Sequence, residues 1–90
     1  MEETKQIVLE KLFKQVLTQL DPDPEREGLL ATPRRVASAM QFVTQGYETD
    51  PKEILLSALF KEEYRQMVVV KDIEMYSLCE HHLVPFFGKA

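Results

Sequence analysis

Two periodicities divide this chain, and the switch between them near residue 66 constrains the fold more than any single motif. Before it, apolar residues recur every three or four positions, the spacing of a helix with one buried stripe. From Met67 the residues become β-branched and then alternate, as a strand with one buried face does. Helices first and strands last predict an α+β architecture. The expected division runs between residues 1–65, helical, and residues 66–90, the start of an antiparallel sheet in the same domain.

Proline and its capping partners place the helices. Val8, Leu9, Leu12, Phe13, Val16, Leu17 and Leu20 describe one apolar stripe over about residues 3–20, and Asp21-Pro22-Asp23-Pro24 interrupts it. Asp23 is expected to cap a short helical turn through Glu25-Arg26-Glu27, with Pro24 in its first position. Thr32-Pro33 repeats that arrangement and opens a helix with Val36, Ala37, Met40 and Val43 on one side and Gly46 as its stop. Asp50-Pro51-Lys52-Glu53 resembles a capping box leading into Ile54, Leu55, Ala58 and Leu59. Residues 67–78 then read as a strand and residues 83–90 as the beginning of a second, paired as a hairpin across residues 79–82. A two-stranded sheet is marginal by itself.

Composition narrows the partners. Ninety residues make one small domain whose core needs help from metal or oligomerisation. Eleven Lys and Arg against fifteen Asp and Glu leave a net charge of −4, without the electrostatic footprint of a nucleic-acid binder. One cysteine excludes a disulfide within the chain, the acidic start Met1-Glu2-Glu3 is unlike a signal peptide, and no apolar run approaches membrane-spanning length. These features point to a reducing, cytoplasmic setting with no nucleic-acid or membrane partner.

The only cysteine and both histidines occupy four consecutive positions, Cys79-Glu80-His81-His82. Thiolate and imidazole are zinc ligands. On a straight strand, residues three apart project to opposite faces, so Cys79 and His82 chelate one ion only if the chain bends between them. His81 then points elsewhere, free for proton transfer or substrate contact, and Pro85 returns Val84 to extended geometry. The plainer alternative is a buried cysteine followed by an ordinary turn, and spacing alone does not separate the two. Other positions are equally two-sided. Glu80 orients an imidazole or faces solvent. Arg34 and Lys89 read as surface charges, and Tyr76, Phe86 and Phe87 as core or pocket wall.

The segment Ser77-Leu78-Cys79-Glu80-His81-His82-Leu83-Val84-Pro85-Phe86-Phe87-Gly88-Lys89-Ala90 resembles the zinc signature of GTP cyclohydrolase I. Arg26-Glu27-Gly28-Leu29-Leu30-Ala31-Thr32-Pro33-Arg34-Arg35-Val36-Ala37 is similar to the same family's Thr-Pro-x-Arg-Val-Ala helix start, and Val69-Val70-Lys71-Asp72-Ile73 leads into the zinc segment. The resemblance covers nearly the whole chain and is strongest from Asp23 onward. It implies a tunnelling fold (T-fold), Zn2+ as cofactor, GTP as substrate, and a ring-shaped homo-oligomer, a decamer, with active sites between subunits. The implied reaction opens the purine ring hydrolytically, releases C8 as formate and rearranges the ribose to give 7,8-dihydroneopterin triphosphate. That is the first step of tetrahydrofolate and pterin synthesis.

Carried over by position, Cys79 and His82 match two of the family's three zinc ligands. His81 matches an active-site histidine near the ribose and purine, and Arg35 an arginine that holds the triphosphate near a subunit interface. Zinc lowers the pKa of a bound water towards neutrality, which suits attack at C8. The family's third ligand is a later cysteine, followed by a second histidine and the acid that recognises guanine, whereas this sequence has only Cys79. The resemblance therefore implies an N-terminal portion of the enzyme that is inactive by itself. The competing reading is a non-catalytic helical interaction or oligomerisation module with an incomplete metal site.

Overall fold

The computed structural model of the chain describes residues 3–59 and 66–90. Among the described residues three α-helices precede two antiparallel strands, as an α+β chain requires: α1 (Glu3–Leu20), α2 (Thr32–Val43), α3 (Pro51–Ser57), β1 (Glu74–Leu78) and β2 (Pro85–Lys89). The chain divides into two compact units, Met1–Val43 and Thr44–Ala90.

In the first unit α1 packs on α2. Leu, Lys, Gln and Glu dominate α1, residues that lose little rotamer freedom in a helix, and Glu3 lies in its first turn, where the dipole favours an acid. The side turned to α2 carries Gln6, Leu9, Glu10, Phe13 and Leu17, all half-buried. The stripe read from the sequence is thus split. Leu9, Phe13 and Leu17 pack inward, whereas Val8, Leu12 and Val16 are about half exposed and Leu20 is 77% exposed.

At the centre of the contact Ala37 is fully buried and Gln41 is 5% exposed. A small side chain at residue 37 lets the helices approach, and the buried amide beside it is satisfied across the interface. Gln41 Nε2 donates to Gln6 Oε1, while Gln6 Nε2 donates to the Arg34 carbonyl and to Ser38 Oγ, both at 3.2 Å. This set fixes the register of α1 on α2, because slipping either helix by a turn strands buried polar atoms.

The link between α1 and α2 corrects two expectations. Asp23 caps no helix: its amide donates to Asp21 Oδ1 at 2.9 Å and its carbonyl accepts from the Arg26 amide at 3.3 Å. Asp-Pro-Glu-Arg is therefore a turn with Pro24 at its second position, the place where proline's fixed φ fits best. The short helix follows later, as a 3-10 turn over Glu27–Leu29. Asp21 anchors the turn, and the Asp23 amide, helped by Arg26 at 3.0 Å, holds its carboxyl below the usual range. Thr32, expected as the cap of α2, is its first residue, and the Arg35 amide donates to the Ala31 carbonyl at 3.1 Å. Helical geometry already runs through Leu30, so the start moves forward. A cleft of about 220 Å³ lies between α1 and this link, lined by Lys11, Lys14, Leu17, Leu29 and Arg34 among others.

In the second unit a 3-10 turn (Gln45–Glu48) contains Gly46, which has no positive φ; α2 ends instead at Val43 and the Tyr47 amide donates to the Thr44 carbonyl at 3.1 Å. Asp50 caps α3 as expected, although its carboxylate takes the Lys52 amide at 3.0 Å, the second rather than the third helical position of a capping box.

The strands pair in the register Glu74 with Lys89, Met75 with Gly88, Tyr76 with Phe87, Ser77 with Phe86 and Leu78 with Pro85. Ile73 and Ala90 extend the ladder by exchanging bonds of 2.9 and 3.0 Å. The expected strand from residue 67 is shorter: residues 67–73 are exposed and lie outside any strand. Asp72, at φ 56°, breaks the extended backbone just ahead of Ile73, whose bonds to Ala90 extend the ladder. High β propensity cannot make a strand without a ladder.

The Gln41 amide yields a direct test. Gln41→Ala leaves the half-buried side-chain oxygen of Gln6 without its donor, and the expected loss is about 1 kcal/mol of unfolding free energy, read by urea denaturation of the protein as its gene encodes it. An unchanged midpoint contradicts the role given to this cluster.

Candidate functional site

The hairpin presents Cys79, Glu80, His81 and His82 as its connection. Immediately beyond the last strand pair, the Cys79 amide donates to the Val84 carbonyl at 3.0 Å. Between these residues the chain makes one helical turn, closed by the Leu83 amide donating to the Cys79 carbonyl at 2.9 Å. Leu83 is left-handed, with φ 55°, a conformation that costs a residue other than glycine about 1–2 kcal/mol. It reverses the chain so that the Val84 amide points back to Cys79 Sγ, 3.4 Å away.

This is the bend that joint chelation requires, since residues three apart on a helical turn share a face. The Val84 amide above all, with the amides of His82, His81 and Leu83, holds the Cys79 thiol below its ordinary pKa, outweighing the opposite push of partial burial. Cys79 is half-buried; His81 and His82 are exposed. Glu80 Oε1 lies 3.9 Å from His81 Nε2 with both side chains more than three-quarters exposed, a loose pair that contributes little. Tyr76, Phe86 and Phe87 stand exposed on the hairpin, where Tyr76 donates to Glu74 Oε2 at 3.1 Å.

One thiol and one imidazole on the same turn fit two corners of a zinc tetrahedron. Among the described residues no three of His, Cys, Asp and Glu converge on a metal. Arg35 is exposed in the first turn of α2, in the other unit, so the structure joins three of the four residues singled out in the sequence and describes the fourth separately. Leu83 and Val84 carried no signal in the sequence reading: a leucine in left-handed geometry has no compositional mark, and a backbone donor has none at all. Among the described residues no helix is long and apolar enough to cross a membrane.

The profile of the family described as GTP cyclohydrolase I matches residues 9–90, from the first helix through the turn at residues 79–84 to the end of the hairpin. The chain belongs to the GTP cyclohydrolase I family. Several curated relatives carry the name GTP cyclohydrolase 1. One from Porphyromonas gingivalis is 61% identical over 82 residues, which is 91% of this chain and 42% of the relative. Another from Parabacteroides distasonis is 65% identical over 79 residues, 87% of this chain and 40% of the relative. A third, from Chlorobium phaeovibrioides, is 54% identical over 86 residues, 92% and 39% respectively. The chain thus spans about two-fifths of the length of the GTP cyclohydrolase relatives it matches.

The amides around the sulfur make a measurable prediction. In metal-free protein the rate of Cys79 alkylation by iodoacetamide should follow a thiolate midpoint below that of a free cysteine peptide, because only the thiolate reacts. A midpoint equal to or above the peptide's contradicts the donor arrangement.

Proposed function

We propose that this chain is the part of a GTP cyclohydrolase I that supplies two zinc ligands, a proton carrier and a triphosphate contact. The reaction is the hydrolytic opening of the GTP purine ring to formate and 7,8-dihydroneopterin triphosphate, at the start of tetrahydrofolate and pterin synthesis. What carries the reading is the helical turn at residues 79–84, at the tip of a hairpin within the family match, a bend of the kind that puts residues three apart on a shared face.

In this reading Cys79 and His82 hold Zn2+, which when bound supplies a Lewis acid that brings a water's pKa towards neutrality. His81, exposed beside them, takes up and returns protons as the C8–N bonds break and C8 leaves as formate. Arg35 holds the triphosphate through its planar guanidinium. The third ligand lies outside these 90 residues, so they are inactive alone, and residues 66–90 begin a T-fold sheet that follows the helical region, residues 1–65, in the chain. The working enzyme is a cytoplasmic homo-oligomeric ring with sites shared between subunits. The exposed stripe of Val8, Leu12, Val16 and Leu20 favours a second reading, a helical association module without catalysis.

Zinc analysis and formate release separate the two. Cys79→Ala or His82→Ala should lose both bound zinc and turnover; zinc and rate retained in either variant defeat the ligand assignment. His81→Ala should keep zinc while kcat falls about 10²–10⁴-fold, and Arg35→Ala should keep zinc while KM for GTP rises. An unchanged KM returns Arg35 to a surface charge.

A further inference from the structure

We infer that Leu83 and the Val84 amide are positioning groups for the metal-bound sulfur: left-handed Leu83 aims the Val84 N–H at Cys79 Sγ and so fixes the sulfur's orientation before any metal arrives. The inference rests on the reading of Cys79 as a zinc ligand. Three bonds define the device. The Leu83 amide to the Cys79 carbonyl closes the helical turn, and the Cys79 amide to the Val84 carbonyl ties its ends together. The third, from the Val84 amide to the sulfur, depends on both.

Its geometry explains why the third bond needs Leu83 as it stands. After a helical turn, a residue at φ near −60° carries the chain onward along the helix, and the next amide points to a carbonyl one turn back. A residue at φ 55° instead reverses the path, so that the following amide faces the side chain of the residue that opened the turn. The side chain there is Cys79, whose sulfur is a weak acceptor as a thiol and a strong one as a thiolate. Leu83 itself is 65% exposed, so its side chain is not what the position needs; its backbone is. Pro85 follows and keeps Val84 extended, leaving the amide no competing path.

The donor acts on the ligand, not on the substrate. A hydrogen bond stabilises the sulfur lone pairs, orients the one that meets the metal and limits charge donation. Groups of this kind change metal affinity by about 10–100-fold when lost.

The test uses Co2+ as the probe, bound to the metal-free protein as its gene encodes it. Leu83→Ile places a β-branched residue where positive φ is least tolerated, whereas Leu83→Gly accepts it freely. The inference expects Leu83→Ile to bind Co2+ at least about tenfold more weakly, with the sulfur-to-cobalt charge-transfer band moved to lower energy as the sulfur loses its donor. Leu83→Gly keeps the band and binds within about threefold of the parent, being free of the steric cost. Leu83→Ile with the parent's affinity and band overturns the inference. Cys79→Ala, measured alongside, separates the two claims: if it loses Co2+ while Leu83→Ile does not, the positioning role alone falls, and if it keeps Co2+ the ligand assignment falls as well. Should Leu83→Ile fail to fold, hydrogen exchange at the Val84 amide of the unaltered protein decides: slow exchange supports the bond and exchange at the rate of an open chain overturns it.

Discussion

The hydrogen bond from the Cys79 amide to the Val84 carbonyl closes the β1–β2 hairpin, and everything chemical in this chain depends on that closure. Outside it the strands run in a fixed antiparallel register from Leu78 and Pro85 to Glu74 and Lys89. Inside it four residues must reverse direction, which a straight strand cannot do. The reversal takes the form of a helical turn, so the spacing of Cys79 and His82 changes meaning from opposite faces to a shared one. Sheet pairing is thus the step that turns an ordinary tetrapeptide into a candidate metal-binding one.

The helical unit is held by a different kind of constraint. Among the described residues Ala37 is the fully buried apolar one, and the centre beside it is polar: Gln41, Gln6, Ser38 and the Arg34 carbonyl satisfy one another. Such a cluster specifies register more than it adds stability, since each member is costly only when its partner is missing. Exposed apolar residues surround both units, among them Leu12, Val16, Val69 and Phe87. That distribution agrees with a chain spanning about two-fifths of its relatives, because the cores of small pieces are shallow.

How far the letters reached depended on whether the determining contacts were local. α1 was legible over its whole length because spacing and propensity agree from residue 3 to 20, and Asp50-Pro51 announced α3 for the same reason. Hairpin pairing and its turn were legible from the period change and from Pro85. Two of the three expected caps were not: Asp23 and Thr32 each had the right chemistry, but a carboxylate two residues earlier and a 3-10 turn just upstream took over their roles. The run Met67-Val68-Val69-Val70 misled because strand formation needs a partner, which local sequence does not display. At the site, Cys79, His81 and His82 could be named from residue type, whereas the donors that organise them are backbone amides set by a left-handed Leu83.

X-ray absorption at the zinc edge, recorded on the protein as its gene encodes it, examines the central assignment most directly. The account predicts stoichiometric zinc with sulfur neighbours at about 2.3 Å and imidazole nitrogen at about 2.0–2.1 Å, the distances that thiolate and histidine ligands impose. Zinc that is absent, or that carries only oxygen and nitrogen neighbours, contradicts the placing of Cys79 and His82 on one metal.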